Sequence, residues 1–251
     1  MTTLWRFIPP IEASGFTQMA IDEWLLEQHR LGYELPCLRF YTWKPVAISL
    51  GYHQHLYPDH WNLLHWNGQV IDLVRRPSGG RAVLHQGDLT YSLIVSGYSG
   101  RRRDIYAQLC QFLISGWYQL GLPLHLGGNR SSYQKSDNCF GMTTAADLVT
   151  SSGYKIIGSA QLYRDSCILQ HGSIQLAPNF ELTETVFGSS NTEPPVRLAD
   201  IHPTDVIDAL TIAAELSFDI QLKKQPISQQ EQEQAIARAQ SKHQTTQHFS
   251  Q

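Results

Sequence analysis

The sequence predicts an α+β domain of mixed, largely antiparallel sheets with packed helices. Three observations carry that prediction. Short β-rich runs follow one another across turn signals instead of alternating regularly with helices. Only a few longer stretches repeat apolar residues at helical period. The 251 residues are 42% hydrophobic, enough for one large core. One domain over residues 1–222 is therefore expected, followed by a polar helix and tail at 223–251 that should be flexible.

From Ser14 to about His29, Phe16, Met19, Ala20, Glu23 and Trp24 recur at helical intervals behind an N-cap serine, which gives a first amphipathic helix. CLRFYTW, VAISLGY and VIDLVRR read as successive strands. RAVLH and LTYSLIV resume strand character after the pair Gly79 and Gly80, with QGD at 86–88 as a turn. Between about Arg103 and Leu120, Ile105, Leu109, Phe112, Leu113 and Trp117 keep helical period, and Gly121 with Pro123 ends the helix. Residues 127–138 are polar and glycine-rich, the composition of a surface loop. AADLV, YKIIGSAQLY and CILQHGSIQL form a second group of strands. TDVIDALTIAAEL reads as a helix, Ser228 to His243 as a last polar one, and TTQHFSQ is expected to fray.

Composition narrows the function. The formal net charge is −3, so no overall basic field would hold nucleic acid or an anionic membrane. No apolar run approaches the roughly 18 residues that a membrane span requires, and MTTLWRFIPP lacks the features of a secretory signal, so a soluble cytoplasmic protein is expected. Cys37, Cys110, Cys139 and Cys167 are widely spaced and include no CxxC pair, which disfavours zinc and a disulfide framework. His53 and His55 lack accompanying metal-ligand spacing, so no metal and no cofactor are expected.

The chemistry concentrates in three places. In RRPSGGRAVLH (75–85), adjacent glycines between arginines let backbone amides approach a carbonyl oxygen or a phosphate, although an ordinary hairpin with solvated arginines has the same composition. The stretch is neither a P-loop nor a dinucleotide fingerprint. Cys139 ends the polar loop, where a thiol can be partly exposed, whereas Cys37, Cys110 and Cys167 sit in apolar-periodic runs that read as core. Lys155, between apolar residues in YKIIGSAQ, either stabilises a thiolate or is a solvated strand lysine. His171, before Gly172, either packs on the glycine loop and donates to a carbonyl or is a satisfied structural histidine.

RRPSGGRAVLH, GYKIIGSAQ and LQHGSI, in that order, resemble the catalytic domain of the lipoate-protein ligase A (biotin/lipoate A/B protein ligase) family. The direct continuation into LTYSLIV and the NCF at 138–140 resemble its octanoyltransferase branch, and the likeness covers roughly residues 4–180. The resemblance implies the biotin/lipoate protein ligase-like fold and an enzyme of lipoate biosynthesis. That enzyme would take octanoyl from acyl carrier protein and pass it, without ATP, to a lysine of a lipoyl-carrier domain such as the glycine cleavage H protein. On this resemblance Cys139 would be the acyl-thioester nucleophile and Lys155 the neighbour that lowers its pKa. Arg75, Arg76, Ser78, Gly79, Gly80, Arg81 and His85, with Gly158, Ser159, Ala160, His171 and Gly172, would form the acyl-binding site. A monomer is expected. The sequence departs from the pattern in CFGMTTAADL, where Thr144 and Ala145 stand in place of serine and aromatic residues, which bears on the acyl pocket and acceptor preference. The short glutamine-rich C-terminal part favours a transferase over a ligase.

Three other readings use the same residues. In an ATP-dependent lipoate or octanoate ligase, Lys155 would bind an acyl-adenylate. A carrier-to-carrier amidotransferase would use the same thiol on an amide donor. A non-catalytic carrier-binding homologue would keep the fold alone.

Overall fold

The computed structural model describes residues 2–128, 147–188, 198 and 200–248. Its centre is an eight-stranded mixed sheet. In chain order the strands are β1 (Thr3–Ala13), β2 (Cys37–Trp43), β3 (Ala47–Leu50), β4 (His65–Trp66), β5 (Gln69–Val70), β6 (Asp72–Arg75), β7 (Val83–His85), β8 (Asp88–Ser96), β9 (His125–Leu126), β10 (Asp147–Val149), β11 (Lys155–Arg164), β12 (Cys167–Gln175) and β13 (Ile220–Lys224). The large sheet runs β13-β1-β2-β8-β12-β11-β10-β9; β1 lies parallel to both β13 and β2, and every other pairing in it is antiparallel. A three-stranded sheet, β6-β3-β7, and the small pair β4-β5 complete the strands. The mixed, mostly antiparallel architecture is the one expected.

Helix α1 (Gly15–Arg30) begins where Ser14 accepts a hydrogen bond from the Thr17 amide. Alternation along the central strands assigns its partners. Leu38, Phe40, Leu93, Val95 and Ile168 face one side of the sheet, where they pack with α2 (Arg102–Leu109), α3 (Gln111–Gln119) and α5 (Pro203–Phe218). Cys37, Ile94 and Leu169 face the other, against Ile21, Trp24 and Leu25 of α1. A third apolar cluster, with Ile48, Leu50 and Trp61, joins the small sheet to α4 (Phe180–Phe187). A fourth, Met19, Tyr41, Trp43 and Ala47, fills the junction between α1 and the two sheets. The site lies at that junction.

Several elements differ from the expectation. The helix foreseen from Arg103 to Leu120 is two helices that meet at Cys110 (φ −86°, ψ −9°), with Leu109, Phe112 and Trp117 still sharing one core. β1 was hidden by Pro9 and Pro10; the β1–β2 register shifts between Ile8 and Ile11, so both prolines fall in the irregular stretch. α4 also escaped the periodicity, although Asn179 caps it and Gly188 (φ 77°) ends it. Helix α6 (Gln229–His248) runs past the point where fraying was expected. It follows β13, and Glu231 meets the buried Arg6 guanidinium at 2.8 Å while Ala235 is buried under α1.

Candidate active site

Between α1, the ends of β2 and β8, the glycine loop, and the middle of β11 and β12 lies a cleft of about 440 Å³, counted out to its mouth. Of the residues singled out from sequence, Arg76, Gly79, Gly80, His85, Gly158, Ser159, Ala160, His171 and Gly172 line it, whereas Arg75, Ser78, Arg81 and Lys155 do not. Three stretches running from Arg76 to Gly172 thus converge on one cavity, two of them because β11 and β12 pair Gly158 with Ser173, Ser159 with Gly172 and Ala160 with His171.

The glycine loop owes its shape to Arg76. Its buried guanidinium donates to the Ser49 carbonyl (2.7 Å), the Gly79 carbonyl (2.9 Å) and the Arg81 carbonyl (2.6 Å), which curls the loop around the side chain. Gly80 sits at φ +99°, and its carbonyl would lie 1.8 Å from a Cβ on Gly51, so both positions require the absence of a side chain. Arg75 turns the other way and donates to the Gly51 and Gln54 carbonyls, each at 2.7 Å. It braces the neighbouring turn outside the cavity wall.

Two histidines on the wall are each fixed by a buried carboxylate. His171 Nδ1 lies 3.0 Å from Asp22 Oδ2, and His171 Nε2 lies 2.5 Å from Ser78 Oγ. Asp22 is fully buried in α1, where Arg39 approaches at 2.8 Å and Tyr41 donates its hydroxyl at 3.0 Å. Burial would push the Asp22 carboxyl up, but the Arg39 guanidinium, with His171, outweighs it and holds the group below the usual carboxylate range. His85 repeats the pattern: Nδ1 is 2.8 Å from Asp88 and Nε2 is 2.8 Å from Ser49 Oγ. Burial drives His85 below the ordinary histidine range despite Asp88, so the ring is neutral at pH 7. Because a carboxylate only accepts, the neutral ring carries its proton on Nδ1 and accepts a hydrogen bond from the Ser49 hydroxyl on Nε2. Asp88 also accepts from Ser173 (2.6 Å) and Thr90 (3.2 Å), and Trp43 donates to Thr90 (2.8 Å) while stacking on His85 with ring centroids 3.8 Å apart. These polar atoms satisfy one another, so the wall offers mostly carbon to whatever enters.

At the other side of the cleft, Lys155 Nζ is 2.8 Å from Asp147 Oδ1, with both side chains 4% exposed. The ammonium would lie 3.1 Å from a Cβ placed on the wall residue Gly158. A cation thus lies directly behind the cavity surface. Cys139 lies outside the described residues. The other three cysteines are buried, as their apolar settings implied, and burial pushes Cys37 and Cys110 up to about 12. Neither thiol ionises at neutral pH.

Reading the sequence missed Asp22, Arg39, Tyr41, Trp43, Ser49 and Asp88. The available signals were charges at positions where the pattern demands apolar residues: Asp22 among Met19, Ala20 and Ile21 on the buried side of α1, and Arg39 inside CLRFYTW. A buried charge needs a partner, and these two are each other's.

The model of the lipoyl protein ligase A/B catalytic domain matches residues 14–214. An octanoyltransferase LipM of Moorella thermoacetica is 37% identical over 182 residues, which is 70% of this chain and, at 66%, just under two thirds of that protein's length. One from Lysinibacillus sphaericus is 36% identical over 207 residues, covering 78% of this chain and 74% of that protein. Among solved structures, a T. acidophilum protein with bound lipoic acid superposes with a TM-score of 0.78 at 21% identity over 96% of both chains. A lipoate-protein ligase A bound with ATP gives 0.73 at 21% identity over 94% of both. At such identities these structures establish a shared fold. The chain belongs to the lipoyl protein ligase A/B catalytic domain family, and the relatives most similar in sequence described above are octanoyltransferases.

Proposed function

We propose that the protein is an octanoyltransferase of lipoate biosynthesis that carries the acyl group on Cys139 between octanoyl acyl carrier protein and a lysine of a lipoyl-carrier domain, such as the glycine cleavage H protein. The observation that carries this reading is the cleft itself, which has carbon-rich walls and a buried ammonium against one side. Its length fits the chain. From Gly158 the wall crosses Ser173 and Thr90 before reaching the Trp43 ring, and two strand spacings amount to roughly 10 Å. An extended eight-carbon acyl group, with bonds of about 1.5 Å, spans roughly 9 Å. With its carbonyl near Gly158, such a chain would end against Trp43.

Chemically, a thioester donor is already activated. Exchange onto an enzyme thiolate costs little, and attack by the acceptor amine then forms the more stable amide. An unperturbed thiol has a pKa of about 8.5, so an ammonium such as that of Lys155 raises the reactive fraction at neutral pH. Arg76, the amides of Gly79 and Gly80, Gly158, Ser159, Ala160, His171 and Gly172 bound the acyl chain, while Ser78 and Arg81 support the loop.

Intact-mass measurement after incubation with octanoyl acyl carrier protein and no nucleotide tests the reading. One octanoyl adduct is expected on the protein, none on Cys139→Ser, and a slowly formed one on Lys155→Ala. Strict dependence on ATP would instead establish a ligase.

A further inference from the structure

We propose that Arg101, Arg102 and Arg103, together with Arg164, form the surface on which the carrier protein of the acyl donor docks through an acidic face. The inference rests on the acyl-enzyme reading above and gives its donor a place on the molecule.

The three consecutive arginines are electrostatically unfavourable where they stand. They open α2, at the end where unpaired backbone amides already concentrate positive charge, and Arg101 caps the helix without a side-chain hydrogen bond. All three are exposed. Arg102 lies over the Tyr163 ring, 4.7 Å from its centroid, which ties the cluster to the end of β11. Arg164, also exposed, follows on the opposite face of that strand, the face of its register partner Cys167 and of α1. Guanidinium groups from two elements therefore surround one strand end. Among the described residues no carboxylate is ion-paired with any of them, although the chain as a whole carries a net charge of −3. The neighbouring Asp165 is taken by Arg30, and Asp104 is one charge against the cluster. The charged groove between α1 and α6 differs: Lys242 meets Glu23 there, and Arg30 and Arg238 meet Glu27, so its charges neutralise one another. An uncompensated basic cluster attracts an acidic partner surface and speeds its encounter.

Reach identifies which partner. Gly158, beside which the reading above sets the thioester carbonyl, and Tyr163 lie on the same strand, roughly 17 Å apart at about 3.3 Å per residue. The pantetheine arm of a carrier protein has about a dozen bonds between its phosphate and its sulfur and spans roughly 16 Å when extended. A carrier seated at the arginines can therefore present its thioester at Gly158. An acceptor lysine extends only about 6 Å beyond its own backbone, so the acceptor domain has to sit at the cleft mouth itself.

Binding and transfer are measured separately. Octanoyl acyl carrier protein is titrated at low salt against the Cys139→Ser protein with and without Arg101→Glu plus Arg103→Glu. The charge reversal is expected to raise Kd about tenfold, and the difference to shrink at about 0.5 M salt. Arg164→Glu should weaken binding in the same sense. With Cys139 present, octanoyl-enzyme formation from dilute octanoyl carrier should fall by the same factor. Formation from octanoyl-pantetheine, which has no carrier protein, and transfer from pre-formed octanoyl-enzyme to a lipoyl-carrier domain should each change by less than about twofold. An unchanged Kd, an equal fall with octanoyl-pantetheine, or a comparable slowing of transfer to the acceptor domain overturns the proposal. The titration needs no acyl transfer, so it decides the docking surface even if wild type forms no octanoyl-enzyme, a result that would sink the transferase reading instead.

Discussion

Replacing Arg39 by methionine tests whether the carboxylate under the active site depends on its guanidinium. Asp22 and Arg39 are both fully buried and 2.8 Å apart, and Arg39 also donates to the carbonyl and side chain of Gln18. Truncation leaves a buried carboxylate whose remaining partners include Tyr41 and His171. Losing one member of a buried pair costs about 3–5 kcal/mol. For a domain of this size each kcal/mol shifts the midpoint by about 2–4 °C, so Tm should fall by roughly 10 °C. The penalty has a defined pH dependence. Asp22 is held below its unfolded value of 3.8, so its contribution is present above that pH and is lost as the pH falls through the folded value. Without Arg39 the carboxyl rises, and Asp22 protonates more readily as acid is added, so wild type and variant should converge in acid. Urea denaturation at pH 7 and at pH 4 measures both effects. The double variant Asp22→Leu with Arg39→Met removes both charges and should be more stable than Arg39→Met alone. A single-variant loss under about 1 kcal/mol, or a double variant as unstable as the single, would refute the claim that the pair is mutually dependent.

Gly158→Ala places a methyl 2.9 Å from Lys155 Cε and 3.1 Å from Nζ; because the neighbour is the end of a flexible side chain, the fold should survive while the ammonium shifts. Octanoyl-enzyme formation should slow about tenfold, the equivalent of 1.4 kcal/mol, in a stopped-flow or quenched mass assay, with Tm changed little. His85, lowered from 6.5 by burial, predicts that unfolding free energy is level above pH 6.5 and declines as the pH falls below it, because the unfolded chain takes the proton first; His85→Asn should show a shallower decline by urea titration. Trp43→Ala removes the ring that ends the cavity beside Thr90 and His85 and should shift acyl preference toward chains longer than eight carbons; competition between octanoyl and dodecanoyl carrier protein, read by mass, checks it.

How far the site could be read from the chain depended on where each residue's partner lies. Helix α1, the strands β2, β8, β10, β11 and β12 of the central sheet, and α5 were legible because their signals are local: a capping serine, a two-residue alternation, a proline at the helix start. The glycine loop, Lys155 and His171 were legible as candidates because each sits in a distinctive short motif. Their division of labour was not. Arg75 and Arg76 are adjacent and identical in chemistry, yet one braces an outer turn and the other shapes the loop at the cavity wall, a difference set by β3 pairing with both β6 and β7. Likewise Asp22 acquires meaning only when α1 is laid across β2 and β12, which brings it to Arg39, 17 residues away, and to His171, 149 residues away. A helix-period reading sees Asp22 as a polar residue on the wrong face; the sheet register makes it the anion that fixes the tautomer and orientation of a wall histidine. Long-range pairing therefore converts two local anomalies, a buried aspartate and a buried arginine, into one electrostatic support.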